Sequence, residues 1–133
     1  MDFLRRVLSD EGYICVCGFK GQDIQQQFVQ TFDEAEAVLN KFDSEERNIY
    51  FGCARYTKEE RNLQTVKDKK IFYIDIDCGA SKPYANQSEA ASALREFVTA
   101  VKLPRPTLVN SGNGLHVYWV LEEAIPPREW LAT

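Results

Sequence analysis

The sequence predicts an α+β domain: a mixed, largely antiparallel sheet with helices packed on one face. Three observations lead there. Segments such as "KIFYIDID" (70–77) and "LHVYWVL" (115–121) have strand length and strand alternation. Two longer stretches carry apolar residues at helical spacing. The elements follow the order β-β-α-β-β-α-β-β, which is not the strict alternation of a doubly wound fold.

"YICVCGF" (13–19) reads as a strand, and "QQQFVQTF" (25–32) as its hairpin partner across Gly21. Thr31-x-x-Glu34 is a capping box. It opens a helix over 33–42, with Ala35, Val38, Leu39 and Phe42 on one stripe. "NIYFGCARY" (48–56) alternates like a strand, and a polar, charged segment leads from it to the strand at 70–77. Gly79 and Pro83 break the next stretch into a loop. Residues 88–101 form the clearest helix, with Leu94, Phe97, Val98 and Val101 on one face. The prolines of "LPRP" end it, and strands at 107–111 and 115–121 follow, joined by a turn. "IPPREWLAT" then places prolines at a helix start. A domain rarely finishes on a helix just begun, so residues 1–133 are expected to be a piece of a longer polypeptide.

The chain of 133 residues is long enough for one domain with a real core. No apolar run reaches the roughly 18 residues that span a bilayer, and the N-terminus lacks a signal-peptide core. A soluble cytoplasmic protein is expected. The four cysteines, Cys15, Cys17, Cys53 and Cys78, are then expected as free thiols. Cys15 and Cys17 share a strand face, but a zinc site would need two more ligands and a more usual spacing. A net charge of −4 argues against a surface that coats nucleic acid. Residues 55–70 are an exception, with Arg55, Lys58, Arg61, Lys67, Lys69 and Lys70 against Glu59, Glu60 and Asp68. This is either a solvated loop or a phosphate-facing segment.

Asp75 and Asp77 lie two residues apart in a strand, so they share one face with Tyr73. Phe72, Ile74 and Ile76 take the other face and are expected against helices. The two carboxylates sit about 7 Å apart at the backbone, close enough to converge on one cation. Left alone, one of them would tend to hold a proton at neutral pH. A divalent ion resolves the conflict, and oxygen ligands suit Mg²⁺ or Mn²⁺. The alternative is a pair of exposed acids at a strand end.

"NSGNGLHVYW" (110–119) adds a second motif. Asn113-Gly114 is a strong type I′ hairpin signal, which asks for positive φ at both residues. That turn would set Ser111 directly opposite His116, on one face. Gly112 and Gly114 would then bare backbone N–H groups of the kind that cradle phosphate oxygens. A lone histidine is otherwise an ordinary packing residue. Nucleophilic serine catalysis is disfavoured by the lack of a G-x-S-x-G elbow and of an orienting acid.

Taken together, the Asp-x-Asp strand and Ser-Gly-Asn-Gly-Leu-His-Val-Tyr-Trp strongly resemble the archaeo-eukaryotic primase superfamily. The resemblance is to the primase–polymerases of phages and mobile elements in particular, from residue 48 onward and more loosely from residue 13. It implies that residues 1–133 are the N-terminal portion of a primase–polymerase catalytic domain, an RRM-like half. It implies template-directed synthesis of a primer or DNA from nucleoside triphosphates on single-stranded DNA, in replication, beside a helicase domain or protein. Asp75, Asp77 and His116 would be catalytic. Asp75 and Asp77 would bind Mg²⁺ or Mn²⁺, while Ser111, Gly112, Asn113, Gly114 and His116 would hold the nucleotide. The family's third acidic motif has no convincing match: Glu122 and Glu123 follow His116 too soon, and the acid is expected beyond Thr133. Two rivals stand beside this reading. One is a glycosyltransferase with an Asp-x-Asp nucleotide-sugar site. The other is a noncatalytic module that recognises nucleic acid or nucleotide.

Overall fold

A computed structural model describes residues 2–131. The protein is α+β, with two antiparallel sheets and several helices. Its chain divides into two compact units, one up to Lys70 and again from Glu122 onward, the other Ile71–Leu121.

The first unit opens with a short helix, α1 (Asp2–Val7), followed by β1 (Ile14–Lys20) and β2 (Asp23–Val29). The sequence carries no periodicity that predicts α1, yet Leu4, Val7 and Leu8 are all buried. β1 and β2 form the expected hairpin, with Lys20 opposite Asp23 and Gly21 at φ 61° in the turn. Helix α2 (Phe32–Ser44) has the capping box: Thr31 Oγ1 accepts the Glu34 N–H, and the Glu34 carboxylate accepts the Thr31 N–H. Its buried face is Phe32, Ala35, Val38 and Phe42, and it lies against β1, β2 and β3 (Asn48–Phe51). The sheet runs in the order β2-β1-β3.

β1 is buried continuously from Ile14 to Gly18 rather than at alternate positions. A central strand covered on both faces gives that pattern. Cys15 and Cys17 join Ala54 and Tyr56 in a separate apolar cluster. The strand expected over 48–56 is broken at Gly52–Ala54 into β3 and β4 (Arg55–Tyr56). β4 pairs antiparallel with the start of β5 (Val66–Asp77), Arg55 facing Asp68 and Tyr56 facing Val66.

The second unit holds β5 from Ile71 on, α3 (Gln87–Ala100), β6 (Thr107–Asn110) and most of β7 (Gly114–Ile125). The strand order is β5-β7-β6. The Asn86 side chain caps α3 by accepting the Glu89 N–H. Ala90 and Leu94 of α3 pack with Leu115 and Val117 of β7, and Ile76 joins this core. Phe72 and Ile74, expected beside Ile76 under helices, remain 36% and 40% exposed. The cluster built on α3 takes in the end of β5 at Ile76 and does not include these two. A last short helix, α4 (Pro127–Leu131), starts at the expected prolines, and Ala132 and Thr133 lie outside the described residues.

Candidate functional site

Strand parity sets the site. On β5, Tyr73, Asp75 and Asp77 alternate with Ile74 and Ile76, and only Ile76 of the latter pair reaches the core. On β7, Leu115 and Val117 point into that core, so His116 and Tyr118 take the opposite face. The two strands bring their chemistry together there. His116 Nε2 lies 3.6 Å from Asp75 Oδ1, with side chains 28% and 49% exposed. Lys82, in the loop after β5, places Nζ 4.0 Å from Asp77 Oδ2.

The two aspartates are therefore answered by two nitrogen groups, one each. All four side chains stay open to water, so these contacts are weak and exchangeable. Tyr73 extends the site: its ring stands edge-on to His116 at 5.6 Å and tilted against Tyr118 at 5.1 Å. Neither Lys82 nor the tyrosine pair was singled out from sequence. Tyr73 was legible by its i−2 relation to Asp75, whereas Lys82 in a flexible-looking loop gave no signal.

The hairpin between β6 and β7 departs from the expected turn. Val109, not Ser111, stands opposite His116, and Asn110 faces Leu115. The Ser111 N–H bonds to the Gly114 carbonyl at 3.1 Å. Gly112 has φ 93°, and neither Asn113 nor Gly114 has positive φ. The glycine thus serves the first central position, as a type II′ turn requires, and the Asn-Gly pair does not make a type I′ turn. Ser111 and His116 still share a face, but as diagonal neighbours.

The glycine N–H groups are not bare as expected, at least at Gly112, whose N–H donates to Asn110 Oδ1 at 2.8 Å. Gln87 at the start of α3 donates to the same oxygen at 2.6 Å and to the Gly114 carbonyl at 3.1 Å. The Asn113 carbonyl accepts the Cys78 N–H at 2.7 Å. Gly114 presses its α-carbon against the Ile76 carbonyl, where a β-carbon would collide with backbone. These bonds tie the turn to the end of the aspartate strand. The Gly114 position is glycine for close approach.

Asp75, Asp77 and His116 do not form a compact three-ligand centre. Among the described residues, no group of three or more His, Cys, Asp or Glu side chains could hold a metal ion. Two half-exposed carboxylates on one strand face do fit the way Mg²⁺ binds with substrate: one or two carboxylates, several waters and phosphate oxygens. The thiols of the first unit give no such centre. Cys15 and Cys17 place their sulfurs 3.8 Å apart, and burial drives the Cys15 thiol up to about 12, which disfavours the thiolate a metal needs. The basic segment 55–70 lies in the first unit up to Lys70, and Arg55 is buried rather than phosphate-facing. No helix among the described residues is long and apolar enough to cross a membrane.

Comparison with known proteins finds no matching family model and no matching solved structure. The chain is similar to a replication protein from Clostridium perfringens, 24% identical over 92 residues, which is 69% of this chain. It spans 22% of the length of that relative.

Proposed function

We propose that Asp75, Asp77 and His116 form the metal- and triphosphate-binding part of a replication nucleotidyltransferase of the primase–polymerase class. The observation that carries this reading is the placement of His116 within 3.6 Å of Asp75 on the open face shared with Asp77. The similarity to a replication protein supports the process, and the two sequence motifs support the chemistry.

In this reading Asp75 and Asp77 hold Mg²⁺ or Mn²⁺. A metal held there would supply charge stabilisation for in-line attack of a 3′-hydroxyl on the α-phosphate of an incoming nucleotide, the hydroxyl proton passing to water and pyrophosphate leaving. His116 exchanges its contact with Asp75 for a phosphate oxygen, and Lys82 does the same from Asp77. Ser111 offers a hydroxyl from the turn, and Gly112, Asn113 and Gly114 position it. Tyr73 walls the site beside the imidazole. No third acid joins Asp75 and Asp77 in a metal set among the described residues, and primer or DNA synthesis on a single-stranded template, working with a helicase, is the activity proposed for the whole protein.

The test is calorimetric titration of the 133-residue chain with a deoxynucleoside triphosphate in Mn²⁺ and in EDTA. Binding should require the metal and should weaken about tenfold or more in Asp75→Asn and in Asp77→Asn, a loss of about 1.4 kcal/mol or more. Both substitutions should leave the unfolding free energy within about 0.5 kcal/mol of wild type, as exposed replacements do. Metal-independent binding, or equal affinity in Asp75→Asn, would falsify the reading. In a primer-synthesis assay of the whole protein, Asp77→Ala should abolish synthesis.

A further inference from the structure

The second unit carries a groove unconnected with the aspartates, between α3, the 101–106 loop and β6. Its volume is about 510 Å³, and its floor and walls include Leu94, Val98, Leu103 and Leu108. Leu103 and Leu108 are 41% and 47% exposed. Phe97 and Val101, on the same helix and its C-cap, are also exposed but do not line the groove. Exposed leucines set in a concave groove are a feature of contact surfaces. The groove is also held in shape. The Leu103 N–H bonds to the Val98 carbonyl at 3.0 Å, and Trp119 Nε1 donates to the Pro104 carbonyl at 2.9 Å.

Its charge chooses the partner. Arg95 comes from α3, and Lys102 and Arg105 come from the loop, all lining the groove. No acidic side chain lines it, and none of these cations makes an ion pair among the described residues. Lys102 holds φ 58°, a conformation that favours glycine, and a cation there also suits the negative end of α3. No aromatic ring lines the groove. Single-stranded nucleic acid needs rings on which bases stack, and an apolar floor gains nothing from a phosphate backbone.

We propose that this groove docks a short acidic, amphipathic segment of a partner protein. One or two leucine- or phenylalanine-sized anchors would fill the apolar floor, and flanking carboxylates would meet Arg95, Lys102 and Arg105. Such helix-in-groove recognition is a common mode of peptide capture. The surface lies apart from the nucleotide site in composition and residues, so the two proposals fail independently.

The test is selection of 12-residue peptides from a random phage library on the immobilised chain, followed by affinity measurement with the synthetic winners. The expected consensus sets Asp or Glu beside Leu or Phe. Affinity should fall at least about tenfold in the exposed double variant Arg95→Glu/Arg105→Glu, about 1.4 kcal/mol, and likewise in Leu108→Asp. Metal-dependent triphosphate binding should be unchanged in both. Three results overturn the proposal. They are a library that yields no consensus or a basic one, an oligo(dT) strand that displaces the peptides, and sedimentation that reveals a dimer dissociated by Leu108→Asp.

Discussion

Gly112 and Gly114 stand in one turn and are glycine for different reasons. At Gly112 the space is open and the backbone is left-handed, φ 93°. At Gly114 the backbone is ordinary and the space is taken by the Ile76 carbonyl. Alanine at 112 should cost about 1 kcal/mol of conformational strain. Alanine at 114 must push the turn off the aspartate strand and should cost more, about 2–3 kcal/mol. Urea unfolding of the two variants gives the comparison, and equal midpoints would show that the hairpin does not seat on Ile76. Arg55 makes a second residue-scale case. It is buried over the Phe32 ring at 5.1 Å and donates to the Glu11 and Gln30 carbonyls. Burial lowers its pKa, with Asp68 and Asp10 opposing. Arg55→Ala should destabilise by about 2–4 kcal/mol through lost bonds and lost packing. Arg55→Lys should recover little, because one ammonium cannot replace the planar fork. A lysine variant as stable as wild type would sink that account.

At the scale of elements, the α2 cap rests on two reciprocal bonds, 3.1 Å into Thr31 Oγ1 and 3.2 Å into Glu34 Oε1. Thr31→Ala should lower stability by about 1 kcal/mol, and Thr31→Ser should restore most of it. If thermal melts show alanine and serine alike, the cap contributes nothing. This helix start could be read directly in the sequence because its signal is local: Thr31 and Glu34 lie three residues apart. Strand parity was equally legible, since it depends only on spacing, and it put Asp75 and Asp77 together. The β6–β7 register was not legible. "SGNG" satisfies a type I′ turn at Asn113-Gly114 or a glycine-first turn at Gly112, and the choice depends on the distant Ile76 carbonyl. α1 escaped for a related reason. Six residues carry too little periodicity to mark a helix, and the burial of Leu4 and Val7 comes from tertiary packing. Phe72 and Ile74 show the opposite failure: apolar parity predicted burial, but burial needs a covering element.

At the scale of the whole molecule, the cluster around β1 predicts an alkaline limit to stability. Burial pushes the Cys15 thiol up to about 12, and nearby Cys17 adds to the shift. Burial also drives the Tyr56 hydroxyl up to about 12, with Cys15 adding. In the unfolded chain these groups ionise near their ordinary values of 9.0 and 10.0. Above pH 9 the unfolded chain therefore releases a proton that the folded chain retains, so stability falls as pH rises. Cys15 contributes a slope of about 1.4 kcal/mol per pH unit, and Tyr56 adds a similar slope once its own unfolded value is passed. Below both unfolded values the two groups bind the same protons in each state, and their stabilisation is fully present. Urea midpoints measured under reducing conditions across the alkaline range should follow this curve. Cys15→Ala should be less stable at neutral pH, from the lost packing, but its alkaline slope should be shallower than wild type by the Cys15 share. A parallel pair of curves would mean that the thiol already ionises in the folded state, and that the cluster around Cys15, Cys17 and Tyr56 is wetter than its burial implies.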